Sequence, residues 1–153
     1  MLYIIWFTLL KVVEFEMKEA VVALIINQGL ILGISRRNDK TKFGLIGGKV
    51  DSGETCLEAL TRETLEECGI FIKSAIPIYE RVELGDGPNG VDFYVRCYYA
   101  TDWLGIPQSS EEGEVAWLTV KEITETKAAF GEYNKSTLEK FKVMFPNVCL
   151  KTE

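Results

Sequence analysis

Between Gly47 and Gly69 the chain sets out paired glycines, a turn and a helix carrying three clustered glutamates, and no other segment limits its fold as tightly. Phe43 to Val50 (FGLIGGKV) reads as a short strand ending in Gly47-Gly48. Asp51-Ser52-Gly53 reads as a turn, and Thr55 to Cys68 as a helix stopped by Gly69. At about 100° per residue and with Leu57 at zero, Leu60, Thr61, Thr64, Leu65 and Cys68 fall within about 80° of that direction. Glu66, Glu63 and Glu67 fall at about 180°, 240° and 280° on the same wheel. The pattern predicts a core face centred near Leu57, with three carboxylates on the opposite side. Like charges at these spacings destabilise a helix by about 0.2–0.5 kcal/mol per pair even when solvated. They also sit near the helix C-terminus, where the macrodipole disfavours anions. A hard divalent cation relieves both costs, because Mg²⁺ takes carboxylate oxygens and keeps positions open for water and phosphate. On spacing alone a solvated acidic face is the simpler reading.

The rest of the chain supplies strands around this unit. Glu19 to Asn27 is a β-rich apolar run, turned at Asn27-Gln28-Gly29 into "LILGIS", and Arg36 to Lys42 is a charged loop. An apolar strand from Ile70 to about Glu83 leads to a turn over Gly85–Gly90, then to an aromatic-rich strand over Val91–Trp103. A polar loop over Gly105–Gly113 precedes a short strand, Val115–Thr119, and a helical turn from Val120. A last amphipathic helix is expected from about Lys135 to Phe145, with Asn134 as a possible N-cap. Strands with interspersed helices predict an α/β fold, a sandwich around a mixed sheet, in one domain spanning 1–153.

Composition removes several chemistries. There is no histidine, and the four cysteines, Cys56, Cys68, Cys97 and Cys149, have no CxxC spacing. Cys/His zinc sites, Ser–His triads and Cys–His dyads are therefore excluded. The cysteines read as buried reduced thiols of a cytoplasmic protein. A net charge of −6, from 17 basic and 23 acidic side chains, argues against a nucleic-acid polymer or an anionic membrane as partner. The apolar stretch Met1 to Leu10 is about half the length of a bilayer span. Residues 1–16 read as an extension forming an added strand or short helix, or as sequence upstream of a true start at Met17.

Gly48, five residues, Glu54, seven residues, then Arg62-Glu63-Thr64-Leu65-Glu66-Glu67-Cys68-Gly69-Ile70 resembles the Nudix box, with every fixed Gly, Glu and Arg in place. The one departure is Thr64, where that motif has an aliphatic residue. The resemblance implies a Nudix-type α/β/α sandwich and a hydrolase that cleaves a phosphoanhydride in a nucleotide. By position, Glu63, Glu66 and Glu67 are the expected Mg²⁺ ligands (Mn²⁺ substituting), with the carbonyl of Gly47 or Gly48 completing the set. Arg62 is expected to orient the carboxylates through Glu54, although spacing alone favours an i,i+4 pair with Glu58 equally. Gly53 and Gly69 permit the turns at either end.

The implied reaction is metal-assisted attack of water on a bridging pyrophosphate. With no histidine, a carboxylate must take the proton. Glu66 is one candidate and a glutamate of "SSEEGEVAW" the other, Glu112 first and Glu111 in reserve. "GGKVDSGET" and "EVAWLTVKEI" look most like the MutT-like branch, which hydrolyses canonical or oxidised nucleoside triphosphates to a monophosphate and pyrophosphate. Phe130, Glu132 and Asn134 occupy the region that reads the base in that branch. A nucleoside diphosphate-X hydrolase and a non-catalytic nucleotide-binding module remain the alternatives, and both a monomer and a homodimer are open.

Overall fold

The computed structural model describes residues 17–85, 90–125 and 127–153. The expected extension over 1–16 and the tip of the turn over Gly85–Gly90 lie outside the described residues. The strands are β1 (Lys18–Leu24), β2 (Ile26–Asn27), β3 (Leu30–Arg36), β4 (Asp39–Lys49), β5 (Phe71–Glu83), β6 (Phe93–Leu104) and β7 (Val115–Leu118). Their order is β2-β3-β4-β1-β6-β5, with β7 paired to β3. β1 runs parallel to β6 and antiparallel to β4, so the sheet is mixed.

Side-chain alternation divides the core between the two faces of this sheet. Along β1 and into β2, Val21, Ala23 and Ile25 face one side, while Leu24 and the half-buried Val22 and Ile26 face the other. Helix α1 (Cys56–Cys68) covers the first face, packing Ala59, Leu60 and Cys68 against Ile46, Ile72 and Tyr98. Helices α2 (Val120–Thr124) and α3 (Gly131–Met144) cover the second through Ile123, Tyr133, Leu138 and Phe141. The result is the expected α/β/α sandwich. No helix among the described residues is long and apolar enough to cross a membrane.

Both α1 and α2 begin with a reciprocal capping box: Thr55 with Glu58, and Thr119 with Glu122. Gly53 and Gly69, at the ends of the turn–helix unit, have φ of 81° and 75°. Glu58 is thus committed to the Thr55 N–H and is not the partner of Arg62.

Three expectations need correction. The buried stripe of α1 is Ala59, Leu60, Thr64 and Cys68, whereas Leu57 and Leu65 are 51% and 44% exposed. The helix is therefore rolled by roughly 50° from the predicted orientation, toward its glutamates. The roll brings Glu63 against β4, where the bare Cα of Gly48 makes room for it. A Cβ on Gly48 would stand 2.4 Å from the Glu63 carboxyl carbon. Secondly, α3 begins four residues earlier than expected, so Asn134 lies within the helix and the N-cap position belongs to Phe130. Finally, only Cys68 and Cys97 are buried; Cys56 is half-buried and Cys149 exposed, and all four are free thiols.

Candidate active site

Arg62 organises one wall of the site. Its Nε donates to Glu54 Oε1 at 2.8 Å and its Nη2 to Glu54 Oε2 at 2.9 Å, a bidentate pair. Nη2 also donates to the Lys49 carbonyl at 3.0 Å, and Nη1 reaches Glu63 at 2.8 Å and Glu66 at 3.4 Å. One guanidinium thus ties the end of β4, the turn and α1 together. Glu54 also accepts from the Asp51 N–H, and these bonds, that of Arg62 first, lower its carboxyl to about 2. Arg62 is held firmly charged by its bonds to Glu54 and Glu63.

Glu67 has the opposite environment. Burial, opposed in part by a bond from the Gly47 N–H, pushes its carboxyl up to about 7. The charges of Glu63, Glu112 and Glu66 push it further in the same direction. Four carboxylates drawn from α1 and the β6–β7 loop therefore share one field, although 45 residues separate Glu67 from Glu112 in sequence. The loop reaches them because it caps the helix. Gln108 N–H donates to the Cys68 carbonyl at 2.9 Å and Ser110 Oγ to the Glu67 carbonyl at 2.8 Å, occupying carbonyls that the helix end leaves free.

As they stand, no three of these carboxylates converge on one point among the described residues. Glu63 and Glu66 are turned onto Arg62, and Glu112 onto Arg37. The donor set nevertheless fits a hard divalent cation. Every side-chain donor is a carboxylate oxygen, and the crowding that raises Glu67 is what positive charge would relieve.

A cleft of about 480 Å³ opens from Gly47, Glu67 and Glu112 toward Ile34–Asn38, Gly44, Ala129 and Phe130. One rim is basic: Arg37 pairs with Glu112 at 2.5 Å, and the Arg36 guanidinium lies 5.5 Å from the centre of the Phe130 ring. Phe130 is 59% exposed and takes a left-handed conformation, φ 59° and ψ 39°. Such a backbone is unfavourable for a bulky residue and persists only where neighbours enforce it. Asn134 does the enforcing. Only 2% exposed, it donates its amide to the carbonyls of Ile123 at 2.8 Å and Ala129 at 3.0 Å.

Of the residues expected to touch substrate, Phe130 therefore lines the cleft, whereas Asn134 sits inside the corner that holds it out. Glu132 opens onto a neighbouring hollow with Arg81, Glu83 and Tyr133. Glu111 is absent from the cleft lining, which holds Glu112. Sequence reasoning missed Arg36, Arg37 and Ser110. The charged stretch over 36–42 was visible but was expected as a loop. It is the turn of the β3–β4 hairpin, with Arg36 ending β3 and Asp39 opening β4, and its placement beside Glu112 depends on pairing between β3 and β7. Another cleft, about 530 Å³, lies between β4 and α2 and contains none of these carboxylates.

A mixed sheet between helical layers, with a carboxylate-bearing helix clamped by one arginine against a Gly-Gly strand end, defines a class of α/β sandwich domains with an acidic, arginine-braced site. Within that class, the NUDIX domain model matches residues 17–141, and the chain belongs to that family. It is 39% identical over 72 residues to an 8-oxo-dGTP diphosphatase of Haemophilus influenzae, a match spanning 47% of this chain and 51% of the relative. The chain thus spans about half the length of that relative. It is 30% identical over 112 residues to an oxidized purine nucleoside triphosphate hydrolase of Danio rerio, covering 71% of this chain and 70% of the other. Among solved structures it is similar to a MutT NUDIX hydrolase from Burkholderia pseudomallei, with a TM-score of 0.69 and 26% identity over 80% of this chain and 96% of that one.

Proposed function

We propose that the chain hydrolyses a phosphoanhydride bond of a nucleoside triphosphate, canonical or oxidised, giving a nucleoside monophosphate and pyrophosphate. The observation carrying this reading is the single cleft that joins Glu67, Glu112 and Gly47 to Arg37 and the exposed Phe130 ring. One end has carboxylates for metal and phosphate chemistry; the other offers an aromatic face for a base. The oxidised-nucleotide activities of the Haemophilus and Danio relatives support the same substrate class.

In this reading Glu63, Glu66 and Glu67 hold Mg²⁺, or Mn²⁺ in its place, with a carbonyl of Gly47 or Gly48. The ion supplies charge neutralisation at phosphate and a more acidic water. Arg62 and Glu54 keep the carboxylates in register from behind, as groups outside a ligand set commonly do. Glu112, which lines the cleft, accepts the proton of the attacking water in this reading, with Glu66 as the alternative. Phe130 stacks on the base, and Asn134 fixes the corner on which Phe130 stands. The substrate is a small nucleotide in the cytoplasm, in keeping with the acidic surface, and the protein acts as a monomer or homodimer.

The test is a Mg²⁺-dependent hydrolysis panel of dGTP, 8-oxo-dGTP, the other dNTPs, ADP-ribose, nucleotide sugars and dinucleoside polyphosphates, with products resolved by ion exchange. Monophosphate plus pyrophosphate from a triphosphate is the expected result. A preference for ADP-ribose or a nucleotide sugar by kcat/KM would replace the substrate assignment, and turnover of none would leave a binding module.

A further inference from the structure

The acidic loop over 109–114 and the basic corner over 35–40 are joined more closely than a cleft rim requires. Ser35 N–H donates to the Glu114 carbonyl at 2.8 Å, and Ser35 Oγ accepts from the Glu114 N–H at 2.9 Å. Gly113 is pressed so near β3 that a Cβ there would lie 2.3 Å from the Ser35 carbonyl oxygen. On the loop's other side Ser110 Oγ accepts from the Glu112 N–H at 3.2 Å while donating to the Glu67 carbonyl. These contacts fix the backbone of Glu112 between α1 and β3. Its side chain then has two claims on it: the Arg37 guanidinium, to which it is bonded at 2.5 Å, and the carboxylate cluster whose field it contributes to at Glu67.

We propose that Arg37 is a positioning residue that acts through Glu112 and couples divalent-cation binding to nucleotide binding. The inference rests on the reading above that Glu112 serves the attacking water, and extends it: Glu112 shares the cleft and the field of Glu67, so a cation held there also draws on its carboxylate. A cation that recruits Glu112 must take it from Arg37, so the pair lowers metal affinity while no nucleotide is present. A nucleotide phosphate entering the same cleft offers Arg37 a replacement anion and frees Glu112. By linkage, the metal must strengthen nucleotide binding by the same factor. Arg62 differs: it also bonds Glu63 and Glu66, but its bidentate pair with Glu54 and its bond to the Lys49 carbonyl hold it in place whether or not those carboxylates turn to a cation. The Arg37–Glu112 pair is largely exposed, and exposed pairs of this kind shift an equilibrium by about two- to fivefold.

The test is calorimetric titration of MnCl₂ into wild type, R37Q, E112Q and R37Q/E112Q, first without nucleotide and then with a non-hydrolysable nucleoside triphosphate analogue. Without nucleotide, R37Q should bind Mn²⁺ about two- to fivefold more tightly than wild type, and E112Q more weakly. The double variant should match E112Q. The analogue should tighten Mn²⁺ binding less in R37Q than in wild type. Equal tightening by R37Q in both backgrounds would mark a general charge effect and overturn the proposal alone. So would an R37Q protein with wild-type affinity beside a weakened E112Q. Wild-type affinity in E112Q would show that the cation makes no claim on Glu112 and would overturn this inference, leaving its role toward the attacking water to the turnover of the same variant.

Discussion

The two walls of the cleft are built by different rules. The β4–turn–α1 wall is local: Gly48, Glu54, Arg62 and the three helix glutamates lie within one short stretch and are fixed by a capping box and one guanidinium. The opposite rim is assembled from distant segments, with Arg37 bonded to Glu112 across 75 residues and Glu114 to Ser35 across 79. Local geometry gives the acidic wall a fixed set of donors. The rim, resting on loop contacts, can differ in substrate without disturbing that set.

The largest expected effect falls on the local wall. Glu66→Gln with Glu67→Gln should cut turnover at least ~10²-fold in steady-state assays, with the fold unchanged by circular dichroism. Unchanged turnover would move the chemistry to the rim and break the comparison. Next, Arg62→Ala should weaken Mn²⁺ binding about 10–100-fold, as loss of a group supporting the ligands does. Arg62→Lys should not restore it, because an ammonium cannot span both Glu54 oxygens.

The rim is sharpened by a pair of variants. Phe130→Ala should raise KM about tenfold through lost base stacking, with the melting temperature unchanged. Asn134→Ala should lower stability by about 1–3 kcal/mol, by leaving the Ile123 and Ala129 carbonyls without their donor, and should raise KM as Phe130 loses its corner. Equal melting temperatures in both variants would remove the distinction between contact and support.

The last prediction is a pH dependence spread over several pH units. The folded value of Glu67, about 7, lies above its ordinary 4.5, so the folded protein keeps a proton that the unfolded chain has released. This contribution is fully present below about pH 4.5 and is lost as pH rises through about 7. Thermal unfolding without divalent ions should therefore show stability falling over that window, and Glu67→Gln should flatten the slope. Glu54, held near 2, acts in the other sense: its contribution is present above about pH 4.5 and is lost as pH falls toward 2.

The same division explains what could be read from the chain alone. Helical spacing and the Gly48–Ile70 pattern revealed α1, its stop at Gly69 and its glutamates, because each depends on residues a few positions apart; the Thr55–Glu58 capping box at its start went unread. The roll of α1 was misread: Leu57 and Leu65 look like core residues on a wheel, but packing set the buried face by the approach of Glu63 to Gly48. Asn134 and Phe130 were both expected in the region that reads the base, Asn134 also as a helix cap. Only the path of the chain between α2 and α3 turns one inward and the other outward. The Arg37–Glu112 pair had no local signal, since it follows from β7 lying beside β3.

Ser110 and Gln108 close the last turn of the helix that bears Glu66 and Glu67. Fraying of that turn and lifting of the β6–β7 loop are then one event, because neither can occur while the other's hydrogen bonds stand. Amide exchange at Gly69 and at Gln108 should slow together when the cleft fills, so that occupancy can be followed in this protein by an isotope clock in its backbone.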